Sequence, residues 1–249
     1  MSDHDNLSGR VALVTGSGRN IGRAIALSLA DGGAAVVVNA RSSAAEAEAV
    51  AEEIRRAGGR AAVAIADVSD PGAVDGLVDA AIGAFGRLDV LVNNVAVRKE
   101  TAFADLHYAE WRDIMSTILD SAYLCSHAAL PHLAASGSGA IVNIGGLSSF
   151  TGAAGRAHVI AAKAGLVGLT RGLAHDLARY NITVNCVAPG LIDTSRAGKE
   201  PAHHALHAPL AGRRGRPEEI AALVRFLSGP DARYITGQTI HANGGLFMS

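Results

Sequence analysis

Short apolar runs alternate along the chain with longer Ala-rich stretches whose apolar positions recur at helical spacing. The pattern predicts strands at 10–14, 35–39, 61–66, 88–93, 140–144, 183–188 and 239–242. Helices are predicted at 21–30, 44–57, 73–85, 111–134, 157–180 and 217–226. The strands are near-continuously apolar rather than strictly alternating, so both of their faces must be covered, as in a parallel sheet between two helical layers. Regular βα alternation predicts an α/β fold, a doubly wound parallel sheet flanked by helices. No linker, repeat or low-complexity segment divides residues 1–249, which read as one domain. Residues 193–216 break the regularity: they hold Gly198, Pro201, Pro209, Gly212, Gly215 and three histidines. A long irregular segment in a compact domain is often a lid over a site, and this one is expected to be a substrate lid.

Composition narrows the function classes. Hydrophobic residues make up 49% of the 249 and charged residues 18%, which excludes a disordered chain. Lys and Arg number 22 against 23 Asp and Glu, so the basic excess of a nucleic-acid binder is missing. Cys125 and Cys186 cannot build a disulfide framework and suit a reducing cytosol. No apolar run is long enough to span a membrane, and the polar, acidic start MSDHDN is unlike a secretory leader. The expectation is a cytoplasmic protein acting on a small molecule, without nucleic acid or membrane as partner.

The first strand runs into Thr15-Gly16-Ser17-Gly18-Arg19-Asn20-Ile21-Gly22 and then a helix. Glycines at a strand-to-helix turn let the backbone approach a pyrophosphate, and the helix N-terminus offers N–H groups and a positive dipole end. A glycine trio is weak evidence alone, and its place at the first βα turn is what strengthens it.

With this turn in place the chain resembles the short-chain dehydrogenase/reductase family along nearly its whole length, and is most similar to its β-ketoacyl-acyl-carrier-protein reductase branch. The family's turn reads TGxxxGxG; Thr15, Gly16 and Gly22 match it, Asn20 stands at the middle glycine, and Gly18 is extra. Asn tolerates left-handed backbone angles better than other non-glycine residues, so the turn should still form. The resemblance implies a Rossmann-type nucleotide site in which Ile21 joins the turn, Asp67 and Val68 border the adenine, and Asn93 follows the fourth strand. Pro189, Gly190, Ile192 and Thr194 would hold the nicotinamide carboxamide. It also implies a homo-oligomer, a dimer or more often a tetramer, built on the helices at 111–134 and 157–180.

The second strand decides between dinucleotides. NAD enzymes place an acid at its end to bond the ribose 2′-hydroxyl, whereas here Val38 is followed by Asn39, Ala40 and Arg41. Arg41 and Arg19 could grip a 2′-phosphate bidentately, so the cofactor expected is NADP, with NADPH preferred to NADH.

The catalytic positions depart from the resemblance. The family works with a Tyr, a Lys four residues later on the same helix face, a Ser that orients the substrate oxygen, and an Asn on the preceding long helix. Lys163 is present, but Val159 stands at the Tyr position, Gly146 at the Ser and Ile118 at the Asn. None of Tyr108, Tyr123, Tyr180 and Tyr234 falls on the first turn of the Lys163 helix. His158 titrates near neutrality and is the candidate substitute acid, yet one residue is about 100° round a helix, so it should not point where Val159 points. Ser148 and Ser149 share the Gly146 loop. Arg98 and Lys99 follow the fourth strand, where they could hold a substrate carboxylate or simply be solvated. His203, His204 and His207 lack an accompanying acid pattern, so no metal site is expected.

Three readings follow. The first is an NADP(H)-dependent oxidoreductase of non-standard mechanism, reducing a group such as an iminium ion or activated alkene that needs no proton as hydride arrives. The second is a non-catalytic nucleotide-binding sensor or assembly protein. The third is a ketoreductase whose acid is His158 or water, disfavoured because losing a general acid costs about 10²–10⁴ in rate.

Overall fold

The computed structural model describes residues 7–194 and 208–248 of the chain. Its centre is the run Val11–Val14 (β1), buried at every position because neighbours lie on both edges and both faces. The elements that follow are α1 (Asn20–Asp31), β2 (Ala35–Ala40), α2 (Ala44–Arg56), β3 (Arg60–Ile65), α3 (Pro71–Phe85) and β4 (Val90–Asn93). Next come α4 (Tyr108–Met115), α5 (Ser121–Ala135), β5 (Ala140–Ile144), the single turn α6 (Ser148–Thr151), α7 (Ala157–Leu177), β6 (Thr183–Pro189), α8 (Pro217–Ser228) and β7 (Thr239–Ala242).

The seven strands form one sheet in the order β3-β2-β1-β4-β5-β6-β7, and each adjacent pair is parallel. Leu13 lies beside Val37 on one side and Leu91 on the other. The fold class is thus the α/β doubly wound sheet. Successive strand residues point to opposite faces, and both faces are apolar. Ala12, Val14, Val36, Val90 and Val142 pack with Ile25, Leu29, Val50, Ile54, Ile220 and Val224 of α1, α2 and α8. Leu13, Val37, Leu91, Ile141 and Val184 pack with Val74, Leu77, Cys125, Leu133 and Ala174 of α3, α5 and α7. Chain order reverses across β1 and β4, and at such a switch point the carboxyl ends of the strands open a crevice.

Several boundaries differ from the sequence expectation for physical reasons. The helix expected to start at 73 begins at Pro71, because Asp70 caps it, accepting from the Gly72 N–H at 2.9 Å. The strand expected from 88 pairs only from Val90; before it, fully buried Asp89 accepts from the Val11 N–H at 2.9 Å and holds Arg87. The helix expected at 111–134 starts at Tyr108 and carries a π turn at Ser116–Asp120 between α4 and α5. The helix expected to reach 180 ends at Leu177, followed by a 3₁₀ turn at Ala178–Tyr180. Of the expected lid, residues 195–207 lie outside the described residues, as do His203, His204 and His207. The segment from 208 to 216 has turns and a bridge between Ile192 and Gly215. No described helix is long and apolar enough to cross a membrane.

Candidate active site

The turn after β1 has the backbone that its sequence requires. Gly16 has φ +60° and Asn20 φ +51°, so Asn20 adopts the left-handed conformation a glycine would otherwise supply. A Cβ on Gly22 would stand 2.4 Å from the Gly16 carbonyl oxygen, so only glycine permits this approach of helix to turn. Arg19 occupies the N-cap of α1 without a side-chain capping bond, and no acid lies in the first helical turn. The result is a cradle of backbone N–H groups at a positive helix end, which fits a pyrophosphate.

Asn39 braces this cradle from the end of β2. It is 1% exposed; its Oδ1 accepts from the Gly16 N–H at 3.1 Å, and its Nδ2 donates to the Ala64 and Ala66 carbonyls, both at 3.1 Å. Ser17 closes the loop, its Oγ accepting from the Asn39 N–H at 3.0 Å and donating to Val14 O at 2.7 Å. Sequence reasoning read Asn39 only as a missing acid; a buried amide at a strand end, with donor and acceptor both usable, was the available signal. Arg19 and Arg41 are exposed at the rim. Hydrogen bonds from Ser69, and then the nearby Arg41 guanidinium, hold the Asp67 carboxylate below its usual range. Val68 is buried beside it.

The two adjacent asparagines after β4 face opposite ways. Asn94 donates to the Thr15 and Gly16 carbonyls at 3.0 and 3.1 Å, tying β4 to the cradle. Asn93 is 6% exposed and its Nδ2 reaches inward, to Asn143 Oδ1 at 2.9 Å and Ser126 Oγ at 3.2 Å. Asn143 in turn donates to Thr170 Oγ1 at 2.9 Å, so this chain of amides pins β4 and β5 to α7. The Asn93 Oδ1 is buried and accepts no hydrogen bond.

Lys163 is buried on α7 and its Nζ donates to the Ile144 carbonyl at the end of β5. Burial pulls its pKa down to about 8; the Cys186 thiol opposes this, and the Arg98 and Arg156 charges add to it. The nearby Cys186 thiol is itself pushed up to about 11 by burial. Val159 and Ile118, 3% and 1% exposed, belong to one buried apolar cluster with Ile114, Ala122, Ala162 and Leu166. Ile118 sits in the π turn, a distortion often found at functional sites. Gly146 differs from both, since a Cβ there would meet nothing within 4 Å.

His158 is fully buried and faces α4, with Nε2 3.3 Å from Glu110 Oε1. Burial lowers its pKa while Glu110 pulls it back up. Glu110 also pairs with Lys99 at 2.8 Å and accepts from Thr101 Oγ1 at 2.5 Å. The structure therefore gives His158 to an acidic partner on a neighbouring helix, one residue round α7 from Val159.

Beyond β6, Gly190 packs so tightly on Asn243 that a Cβ would lie 2.6 Å from its Cα, and the Pro189 carbonyl accepts from the Leu147 N–H at 3.0 Å. Arg98 Nη1 reaches Thr194 Oγ1 at 3.5 Å. A cavity of about 270 Å³ opens nearby between β7 and the turn before α8; of the residues expected at the cofactor, only Ile192 borders it. Among the described residues, no group of three His, Cys, Asp or Glu side chains is placed to hold a metal ion.

Comparison with known proteins agrees with this architecture. Residues 16–247 match the family model described as enoyl-(acyl carrier protein) reductase. A 3-oxoacyl-[acyl-carrier-protein] reductase of Staphylococcus aureus is 42% identical over 241 residues, covering 95% of this chain and 98% of that protein. The crystal structure of a dehydrogenase/reductase from Sinorhizobium meliloti superposes with a TM-score of 0.93 at 36% identity, covering 99% of this chain and 98% of that one. A short-chain dehydrogenase from Burkholderia cenocepacia, solved in complex with NADP, superposes with a TM-score of 0.91 at 38% identity, covering 97% and 99%.

Proposed function

From the premise that this chain belongs to the short-chain dehydrogenase/reductase family, in its 3-oxoacyl-acyl-carrier-protein reductase-like branch, we propose an NADPH-dependent oxidoreductase whose substrate brings its own positive charge or activation to the reacting carbon. One observation carries this reading. The turn after β1 has the close-packed glycine backbone that a dinucleotide cradle needs, while Val159 and Ile118 are buried in one apolar cluster where a proton donor and its support would stand. Bound NADPH supplies a hydride. Lys163, anchored on the Ile144 carbonyl, would orient the ribose and supply a positive charge there. Pro189, Gly190, Ile192 and Thr194 fix the nicotinamide amide, with Gly190 held in place by Asn243. Gly16, Gly18, Asn20, Ile21 and Gly22 present the pyrophosphate cradle, and Arg19 and Arg41 take the 2′-phosphate.

Val159 contributes an apolar wall. Without a phenol, a ketone oxygen gains no proton as it becomes an alkoxide, a loss of about 10²–10⁴ in rate. An iminium carbon pays no such penalty, because hydride addition neutralises it to an amine. This favours carbon–nitrogen double bonds over simple ketones and β-ketoacyl thioesters.

NADPH deuterated at the transferable position tests the reading. Incubation with 1-pyrroline, a cyclic imine, should give pyrrolidine carrying deuterium on carbon. Bound NADPH that never passes its label to any imine, alkene or ketone would make this a nucleotide-binding protein without redox chemistry.

A further inference from the structure

The segment between β4 and α4 is tied down at several points along its length. Val95 packs on the cradle, where a Cβ on Gly16 would stand 3.0 Å from its Cγ2. Val97 packs against the buried cluster that holds Val159 and Ile118. Arg98 Nη1 reaches Thr194 Oγ1 at 3.5 Å. The Thr101 N–H donates to the Gly155 carbonyl, in the turn before α7, at 2.8 Å. The segment therefore runs from the cradle to the catalytic positions across the carboxyl ends of the strands, where an open α/β sheet takes its ligand. Its far end is gripped by one side chain. Glu110 lies in the first turn of α4 and uses both carboxylate oxygens. Oε2 pairs with Lys99 Nζ at 2.8 Å, while Oε1 accepts from Thr101 Oγ1 at 2.5 Å and lies 3.3 Å from Nε2 of fully buried His158 on α7. Lys99 and Thr101 flank Glu100, so the carboxylate holds the chain on both sides of one residue and draws it to the first turn of α7, beside Val159.

We propose that Glu110 is a positioning residue: it clamps the 95–101 segment as a wall over the nicotinamide end of the crevice, so that the reacting carbon is held against Val97 and Val159 and water is kept out. This deepens the oxidoreductase reading and rests on it. The positions of Val159 and Gly146 offer a substrate oxygen or nitrogen no side-chain hydrogen bond, so orientation has to come from packing, and packing orients only against a wall that stays in place. The Lys99 side chain is 52% exposed and its ion pair alone is a weak tether. The Thr101 hydroxyl, donating to a charged acceptor, is the stronger hold. Acting two residues apart on one carboxylate, they fix the end of the wall together. Glu110 touches neither cofactor nor substrate in this scheme; it acts through the segment that it holds.

Two readouts of Glu110→Gln test this, one of them without turnover. Acrylamide is a neutral quencher of the fluorescence of bound NADPH, and its quenching constant should rise several-fold, up to about tenfold, the worth of one charge-assisted hydrogen bond, while NADPH affinity stays unchanged. With 1-pyrroline as substrate, KM should rise by about the same factor and kcat should change much less. Lys99→Met and Thr101→Val should each give part of both effects and keep the test open should Glu110→Gln fail to fold. Adding Lys99→Met to Glu110→Gln should change nothing further, because the ammonium has by then lost the charge that it holds. A lower melting temperature with quenching and KM unmoved would make Glu110 a structural residue only and overturn the proposal, as would full additivity of the two substitutions. If the parent protein binds NADPH but turns over no imine, the oxidoreductase reading fails and the quenching comparison still decides the role of Glu110; a protein that binds no NADPH would overturn both.

Discussion

Val159 and Gly146 ask different things of a restored side chain. Gly146→Ser enters open space, whereas Val159→Tyr enters a packed cluster and must either turn toward the mouth or strain its neighbours by about 1–3 kcal/mol. Together they should raise ketone reduction on the order of 10²-fold, and the gain should be strongly non-additive because both groups act on one oxygen. Ile118→Asn should cost about 1–3 kcal/mol of stability by burying an amide where Ile118 is 1% exposed, which thermal unfolding will read. No gain in rate from a folded Gly146→Ser/Val159→Tyr protein would mean a pocket rebuilt around other chemistry. His158→Ala should leave the rate unchanged, since its ring faces Glu110; loss of activity without loss of fold would make it the acid after all. Lys163 predicts a pH profile. Its pKa of about 8 means that the ammonium is present below pH 8 and is lost above it. NADPH affinity should therefore be flat at lower pH and fall as pH rises through 8. Lys163→Met should flatten the curve, and a wild-type curve already flat would contradict the role.

The proposed preference for NADPH rests on the junction of β1, β2 and α1. Arg41→Ala should weaken NADPH by about tenfold and leave NADH unchanged, since only the former carries the 2′-phosphate; equal titration curves for the two cofactors in the parent protein would remove the claim. Asn39→Asp would put a carboxylate where the amide donates to the Ala64 and Ala66 carbonyls, so it should lower the melting temperature rather than cleanly convert the preference to NADH. The strand and helix order was legible because apolar periodicity survives in every element, and the glycine turn was legible because Gly16, Asn20 and Gly22 have backbone reasons to be there. Less was legible where structure depends on partners far away in the chain. Asn94 was not singled out in the sequence, although alternation at a strand end already implied that it faces the other way from Asn93, with Asn93 inward and Asn94 toward the cradle. The π turn at Ser116–Asp120 leaves no mark in the apolar pattern.

At the scale of the whole molecule, the parallel sheet delivers every site residue to the same carboxyl edge, and the two helical layers leave aromatic side chains outside. Phe103, Tyr108 and Tyr123, 78%, 75% and 50% exposed, gather at and before the α4–α5 stretch. That stretch, with α7, is expected to be the face between copies in a dimer or tetramer. Light scattering at micromolar concentration should give a multiple of the chain mass, and a monodisperse monomer would refute it. The central claim is that this enzyme reduces groups that need no proton at hydride transfer. It is tested most directly by NADPH oxidation with a matched pair, 1-pyrroline against cyclopentanone. The imine should have the higher kcat/KM, by about 10² or more, the worth of a missing general acid. Ketones reduced as fast as the imines, or faster, would contradict it.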